Sequence, residues 1–209
     1  MKRQIILLIT LFIFSAGKSI AQSRDTTAGR LLYIVDSLYT AQNKPFMDAM
    51  EGKMKPDSAQ QLTLAIYASN CARLKQFVDR FGYPGYKKLG ENYSANFNEM
   101  IFNCNNDIGL QEKVFTLFKN ESSLDTSLRS DKKYLRSLGF FSDKLQIAKG
   151  KKQIYGTQLQ VNEKTGLFEA QPIEDPAGLN ARRAAMKLEP MEEYLKNSNA
   201  ALMKMRNNK

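Results

Sequence analysis

The sequence predicts a mainly α-helical domain of six to seven helices carrying one small antiparallel β-hairpin near residues 153–173. Three observations predict it. Apolar residues recur at helical spacing along most of the chain, in stripes separated by breaks that carry glycine, proline or polar runs. The period changes once, between Gln153 and Val161, where alternation replaces the stripe. A polar stretch ending in glycine, Asn162 to Gly166, follows at once and suits a hairpin loop.

Taken in order, residues 1–21 read as an export signal. Lys2 and Arg3 give a positive start, Ile5 to Phe14 is an apolar run, and Ser19 and Ala21 stand at −3 and −1 of a cleavage site. The run is shorter than the roughly 20 apolar residues a spanning helix needs. The expectation is cleavage after Ala21, export to the periplasm or beyond, and no transmembrane segment in the mature chain. Residues 22–56 then hold a first helix and a connector, and residues 57–209 a single helical domain with the hairpin. The first helix rests on Leu31, Ile34, Val35, Leu38 and Tyr39, over about 29–42. Pro45, Gly52 and Pro56 mark the connector.

Asp57 or Ser58 can cap the second helix, whose stripe is Tyr67, Cys71, Leu74, Val78 and Phe81. Gly82-Tyr83-Pro84-Gly85 ends it, because proline cannot continue the hydrogen-bond ladder. Leu89, Tyr93, Phe97, Met100, Ile101 and Cys104 define a third helix, and Leu110, Val114, Leu117 and Phe118 a fourth. Ser122 to Ser127 is a polar break. Tyr134, Leu138, Phe141, Leu145 and Ala148 define a fifth helix, stopped by Gly150. Along the alternating stretch, Tyr155, Thr157, Leu159 and Val161 would share one strand face, with a return strand from Leu167 to Ile173. Such a hairpin is unstable alone and must pack on the helices. Asp175-Pro176 begins a short helix holding Leu179, Arg182, Arg183 and Met186. Pro190 begins the last one, with Met191, Tyr194, Leu195, Leu202 and Met205 inward.

Composition excludes several chemistries. Histidine is absent from all 209 residues, which removes Ser-His-Asp and Cys-His relays, histidine zinc sites and the commonest general base. That absence tells against an enzyme, and no cofactor or metal site is expected. Lys and Arg number 31 against 21 Asp and Glu, a net charge of +10. This balance suits anionic partners, but the basic residues are scattered as on a solvated surface. The expected partner is therefore a small polar or anionic ligand and not nucleic acid. Cys71 and Cys104 could form a disulfide in an oxidising compartment or stay as two buried thiols on their stripes.

Candidate site residues gather around the hairpin. Gln153, Tyr155, Thr157 and Gln158 offer amide and hydroxyl groups that do not titrate near neutral pH, and Gly156 permits close approach of a ligand or another backbone. They form either a polar recognition surface or a hairpin satisfied by nearby loops. Asp107, Asp143, Glu174 and Asp175 stand at element ends. Paired carboxylates can run hydrolysis when their environments split their pKa values, but Asp175 has a sufficient task as a cap. Arg182 or Arg183 could hold an anionic ligand in bidentate fashion or pair with Glu174, Asp175 or Asp143. Tyr83 and Tyr86 could stack on a ligand or pack as a corner.

The ordered set Gly82-Tyr83-Pro84, Leu89-Gly90, Asp107, Gln111, Asp143-Lys144, Gln153-x-Tyr155-Gly156-Thr157-Gln158, Pro172-Ile173-x-Asp175, Arg182-Arg183, Leu188-x-Pro190 and Tyr194 resembles an uncharacterised bacterial family known only as a domain of unknown function. The likeness runs from Leu74 to Leu195. It implies that Gln153, Tyr155, Thr157, Gln158, Asp175 and Arg182 converge on one ligand-binding site. Family members often carry a His-x-Asp where this chain has Asn105 and Asp107, Asp-Arg where it has Asp143-Lys144, and tryptophan where it has Tyr83. Asparagine keeps the hydrogen bonding of that histidine but cannot carry its proton. The expectation is an exported, non-catalytic binding or interaction module with its site between the hairpin, the Asp107 turn and the Arg182 helix. The alternatives are a hydrolase using Asp107 or Asp143 as base, and a structural envelope protein.

Overall fold

The structure, a computed structural model, describes residues 27–207. The export-signal reading of residues 1–21 lies outside them. The described residues are mainly helical, as the periodicity predicts, with seven α-helices and one two-stranded antiparallel sheet. They divide into two compact units at Arg129 and Ser130. None of the described helices is long and apolar enough to cross a membrane.

The N-terminal unit contains α1 (Thr27–Met50), α2 (Pro56–Phe81), α3 (Tyr86–Phe102), α4 (Ile108–Leu124) and a 3₁₀ turn (Thr126–Arg129). Helix α1 outruns the expected span and passes through Pro45 to Met50. Proline removes one ladder bond, but α1 packs on both α2 and α3, and that packing outweighs the local cost. Helix α2 starts at Pro56, with Lys55 as its N-cap and no side-chain cap from Asp57 or Ser58. Proline at the first helical position has no amide to satisfy, so a cap is less needed there.

The core of this unit is the set of stripes read from the sequence: Leu74, Val78, Phe97, Met100, Ile101, Val114 and Phe118 are all buried. Cys71 and Cys104 form a disulfide, with Cα atoms 5.3 Å apart, that ties α2 to the end of α3. Tyr83 is a packed corner. Its ring meets Phe97 and Phe118 edge-on at 5.8 and 6.1 Å, and its hydroxyl donates to Asn98 Oδ1 at 3.3 Å. Glu121 on α4 accepts the Tyr86 amide at 2.7 Å. The chain approaches that carboxylate so closely that a Cβ at Gly85 would lie 2.6 Å from its oxygen.

The C-terminal unit contains α5 (Lys132–Ala148), β1 (Leu159–Val161), β2 (Phe168–Ala170), α6 (Leu179–Ala185) and α7 (Met191–Asn207). Asp131 caps α5 by accepting the Tyr134 amide at 2.7 Å. Strand β1 pairs with β2 antiparallel, Gln160 opposite Glu169. In the connecting loop Asn162 Oδ1 accepts the amides of Lys164 and Thr165. Asn199 on α7 binds the hairpin edge, accepting from the Phe168 amide at 2.7 Å and donating to its carbonyl at 3.1 Å. The hairpin is therefore docked on a helix, as an isolated ribbon must be.

One expectation about the hairpin is corrected. Residues 154–158 are not strand; Gln153 makes only an isolated parallel bridge to Ile173. Gly156 adopts φ +68°, and the amides of Ile154, Tyr155 and Thr157 all turn toward one side chain. A strand would alternate their directions. What looked like strand alternation is a loop folded around a buried carboxylate.

Candidate functional site

That carboxylate is Asp143, on α5 and without solvent exposure. Its Oδ1 accepts the Ile154 amide at 2.7 Å and the Tyr155 amide at 2.9 Å. Its Oδ2 accepts the Thr157 amide and the Thr157 hydroxyl, both at 2.9 Å, with the Tyr155 amide also at 3.2 Å. A buried carboxylate is tolerated when amide and hydroxyl donors satisfy its lone pairs, and here the loop supplies them.

The carbonyl side of the same loop faces positive charge. Arg182 Nε donates to the Ile154 carbonyl at 2.9 Å. Arg183 Nη1 donates to the carbonyls of Tyr155 at 2.7 Å and Gly156 at 3.3 Å. The Tyr194 hydroxyl donates to the Thr157 carbonyl at 2.9 Å. The peptide units joining Ile154 to Tyr155 and Gly156 to Thr157 thus each lie between an anion and a cation, their dipoles aligned with that field. Arg183 is only 1% exposed. Its Nε donates to the Glu189 carbonyl at 2.6 Å, and its guanidinium lies 4.9 Å from the Tyr194 ring centroid. Burial lowers the Arg183 pKa from its usual value and pushes the Tyr194 phenol up to about 12.

Glycine at 156 is needed for two reasons. Its φ lies where an L side chain is strained, and a Cβ there would meet Met191 Sδ at 3.0 Å and Ile173 Cδ1 at 3.4 Å. The Tyr155 ring packs over Gly139 of α5, with Cδ2 3.8 Å from where a Cβ would stand.

The sequence-derived candidates now separate. Gln153 is fully buried; it donates to the carbonyls of Gln158 and Gln171 at 3.0 and 2.7 Å and accepts the Gln158 amide at 2.9 Å. Gln158 donates to the Thr157 hydroxyl at 3.0 Å. Arg182 pairs with Asp175 at 2.8 Å, which holds the Asp175 carboxyl below its usual range. Asp175 stands before a turn, and α6 begins at Leu179 and not directly after Pro176. The Tyr155 side chain is half-buried, and its hydroxyl makes no hydrogen bond to a described residue. Burial raises its pKa, the charge of Asp143 raises it further, and Arg182 opposes both.

Gln153, Tyr155, Thr157, Gln158, Asp175 and Arg182 therefore belong to one neighbourhood, linked through the 153–158 loop. Asp107 belongs to the N-terminal unit. It caps α4 through the Leu110 amide at 2.9 Å and pairs with Lys75 at 3.4 Å. Among the described residues no group of three His, Cys, Asp or Glu side chains could hold a metal ion.

Sequence reasoning read Arg183 as a ligand holder or ion-pair partner and Asp143 as a possible base or arginine partner, and it foresaw neither as a brace for the backbone of the 153–158 loop. Arg183 follows Leu179 by one helical turn, and both are buried. That i, i+4 placement on the apolar face is the available signal for an inward arginine.

The fold and site define a helical protein whose C-terminal unit holds a charge-clamped loop beside a short hairpin. Residues 49–205 match a family of unknown function, DUF6624, and the chain belongs to that family. No curated protein and no solved structure matches it.

Proposed function

We propose that this protein is an exported, non-catalytic binding module that recognises a small polar or anionic ligand on the face of the clamped loop carrying the Tyr155 phenol. The observation that carries the reading is the division of labour in the Gln-x-Tyr-Gly-Thr-Gln motif. Gln153, Thr157 and Gln158 are buried and hydrogen-bonded within the unit, whereas the half-buried Tyr155 hydroxyl has no partner among the described residues. In this reading Gln153, Thr157 and Gln158 shape the loop. Arg182 and Asp175 fix its rim, and Tyr155 meets the ligand.

A non-catalytic role is supported by the carboxylates: both oxygens of Asp143 are occupied by donors, and Asp107 serves as a helix cap. Export is supported by the charged and apolar N-terminal pattern and by the Cys71–Cys104 disulfide, a bond typical of oxidising compartments.

The internal pairing of Gln153, Thr157 and Gln158 also favours a second reading, a structural envelope protein whose loop only braces the fold. A thermal-shift screen against sugars, peptides, nucleotides and divalent metals separates the two. The binding reading expects a hit weakened about tenfold by Tyr155→Phe, the scale of one lost hydrogen bond. A hit untouched by both Tyr155→Phe and Arg182→Ala removes the site from this loop, and a screen without hits favours the structural reading.

A further inference from the structure

Helix α1 lies along α2 and α3 as a separable piece of the N-terminal unit. The family match begins at residue 49, so all of α1 but its last two residues precedes it. The Cys71–Cys104 bridge ties α2 to the end of α3. Among the described residues α1 is joined to them covalently only through residues 51–55. The groove between α2 and α3 nevertheless holds a helix in a defined register. Val35, Leu38, Gln42 and Pro45, spaced by three, four and three, form the buried stripe of α1. Asn70 of α2, itself buried, donates to the Leu38 carbonyl at 3.1 Å. Glu99 of α3 accepts from the Tyr39 hydroxyl at 3.1 Å.

One position of that stripe does not suit its place. Gln42 is 1% exposed, and its Nε2 and Oε1 are both buried without a partner among the described residues. A buried amide that makes no hydrogen bond is penalised at its donor and at its acceptor. A methionine has nearly the same length and shape and carries neither penalty. Three residues on, Pro45 removes a ladder bond from the next turn of α1. The helix is therefore weakest where its groove offers only apolar contact.

We propose that α1 is a displaceable strap, and that the α2–α3 groove beneath it receives the amphipathic helix of a partner protein. That helix repeats the inward stripe with an apolar residue at the Gln42 position. Recognition is of the helix-in-groove kind, with anchors three and four residues apart. Asn70 reads a backbone carbonyl and so holds any helix seated here. Glu99 selects a hydroxyl three residues before the apolar anchor, as it does with Tyr39. This groove belongs to the N-terminal unit, and the proposal does not rest on the reading given for the Tyr155 loop.

A short tether holds the strap at an effective concentration of about 1 mM. A free copy of α1 therefore displaces half of it near 1 mM, and a helix that binds tenfold better does so near about 0.1 mM. Fluorescence anisotropy of labelled peptides of residues 27–50, titrated with the purified chain, measures this. The Gln42→Met peptide is expected to saturate with a Kd of about 0.1 mM or tighter, and the wild-type peptide at least about tenfold more weakly. Gln42→Met in the chain itself improves the strap and should weaken binding of that peptide about tenfold. Hydrogen exchange followed by mass spectrometry should show α1 losing protection ahead of α2 and α3. The peptide pair and the exchange measurement use the wild-type chain, so they decide the matter even where the chain variant does not fold. No saturation by the Gln42→Met peptide up to about 1 mM overturns the proposal. Equal affinity of the two peptides overturns it too, as does peptide binding undiminished in the folded Gln42→Met chain, which would lie outside the groove. Exchange of α1 only together with α2 and α3 overturns the claim that it detaches.

Discussion

Replacing Asp143 by asparagine tests whether the carboxylate exists for the fold. Asparagine keeps one acceptor oxygen, which can still serve the amides of Ile154 and Tyr155. Its NH₂ group would then face the Thr157 amide and hydroxyl, which now sit 2.9 Å from Oδ2. The hydroxyl can rotate and accept; the amide cannot. One buried donor left unpaired costs roughly 1–3 kcal/mol, and charge-assisted bonds reduced to neutral ones lose about 1 kcal/mol each. Arg183, almost wholly buried, also loses a countercharge. The sum is about 3–6 kcal/mol, a large part of the roughly 5–15 kcal/mol a domain possesses. Urea unfolding followed by far-UV circular dichroism measures it. Asp107→Asn is the control: that carboxylate is a half-buried cap paired with Lys75, asparagine caps about equally well, and loss of the surface pair should keep the change within about 1 kcal/mol. If Asp143→Asn unfolds within about 1 kcal/mol of wild type, the clamp is not a structural device. If it folds normally but abolishes an activity, the rival hydrolase reading regains its base.

Three further outcomes follow. Gly156→Ala combines a left-handed backbone with the 3.0 Å approach to Met191 Sδ, and should lower stability by about 2–4 kcal/mol in the same urea assay; a change below about 1 kcal/mol would mean that Met191 yields freely. Reducing the Cys71–Cys104 bridge, which closes a separation of 33 residues, should cost about 3–4 kcal/mol by loop entropy and lower Tm by roughly 10 °C for a chain this size; an unchanged Tm after verified reduction by mass spectrometry would contradict it. Burial holds the Glu121 carboxyl above its usual range, only partly offset by the Tyr86 amide, and its Oε2 is buried without a partner. The folded state therefore holds this proton more tightly than the unfolded one, so the group's contribution is full in acid and is lost as pH rises through the raised value. Glu121→Gln should match or exceed wild-type Tm at pH 7, with the difference shrinking toward about pH 4; a difference that is constant with pH would place the cause elsewhere.

Much of the fold was legible because apolar periodicity depends on local spacing alone. Most of the stripe residues of α2 to α5 reappear on buried faces, except Phe81 and Leu117, which stand exposed, and Gly82 and Gly150 mark real helix ends. The errors fall where packing between elements decides. Pro45 reads locally as a stop, yet α1 carries on through it because α2 and α3 hold it. Ser122 reads as a break, yet α4 continues to Leu124. Pro56 made a side-chain cap dispensable at α2. None of these outcomes is encoded in a ten-residue window.

Which side chains gather at the loop was legible in the sequence; which way their polar groups face was not. A side chain able to recognise a ligand's amide, carbonyl or carboxylate is equally able to recognise the chain's own backbone. Gln153 and Thr157 therefore look the same from sequence in either role. What separates the roles is whether donors and acceptors balance inside the fold. Here the amides of residues 154, 155 and 157 require an acceptor, which Asp143 provides. The carbonyls of residues 154 to 157 have donors in Arg182, Arg183 and Tyr194. The two sets are complementary in sign and lie on opposite sides of one loop. That is why a conspicuously polar motif can be almost entirely internal, with the Tyr155 phenol as its one hydroxyl without a partner among the described residues.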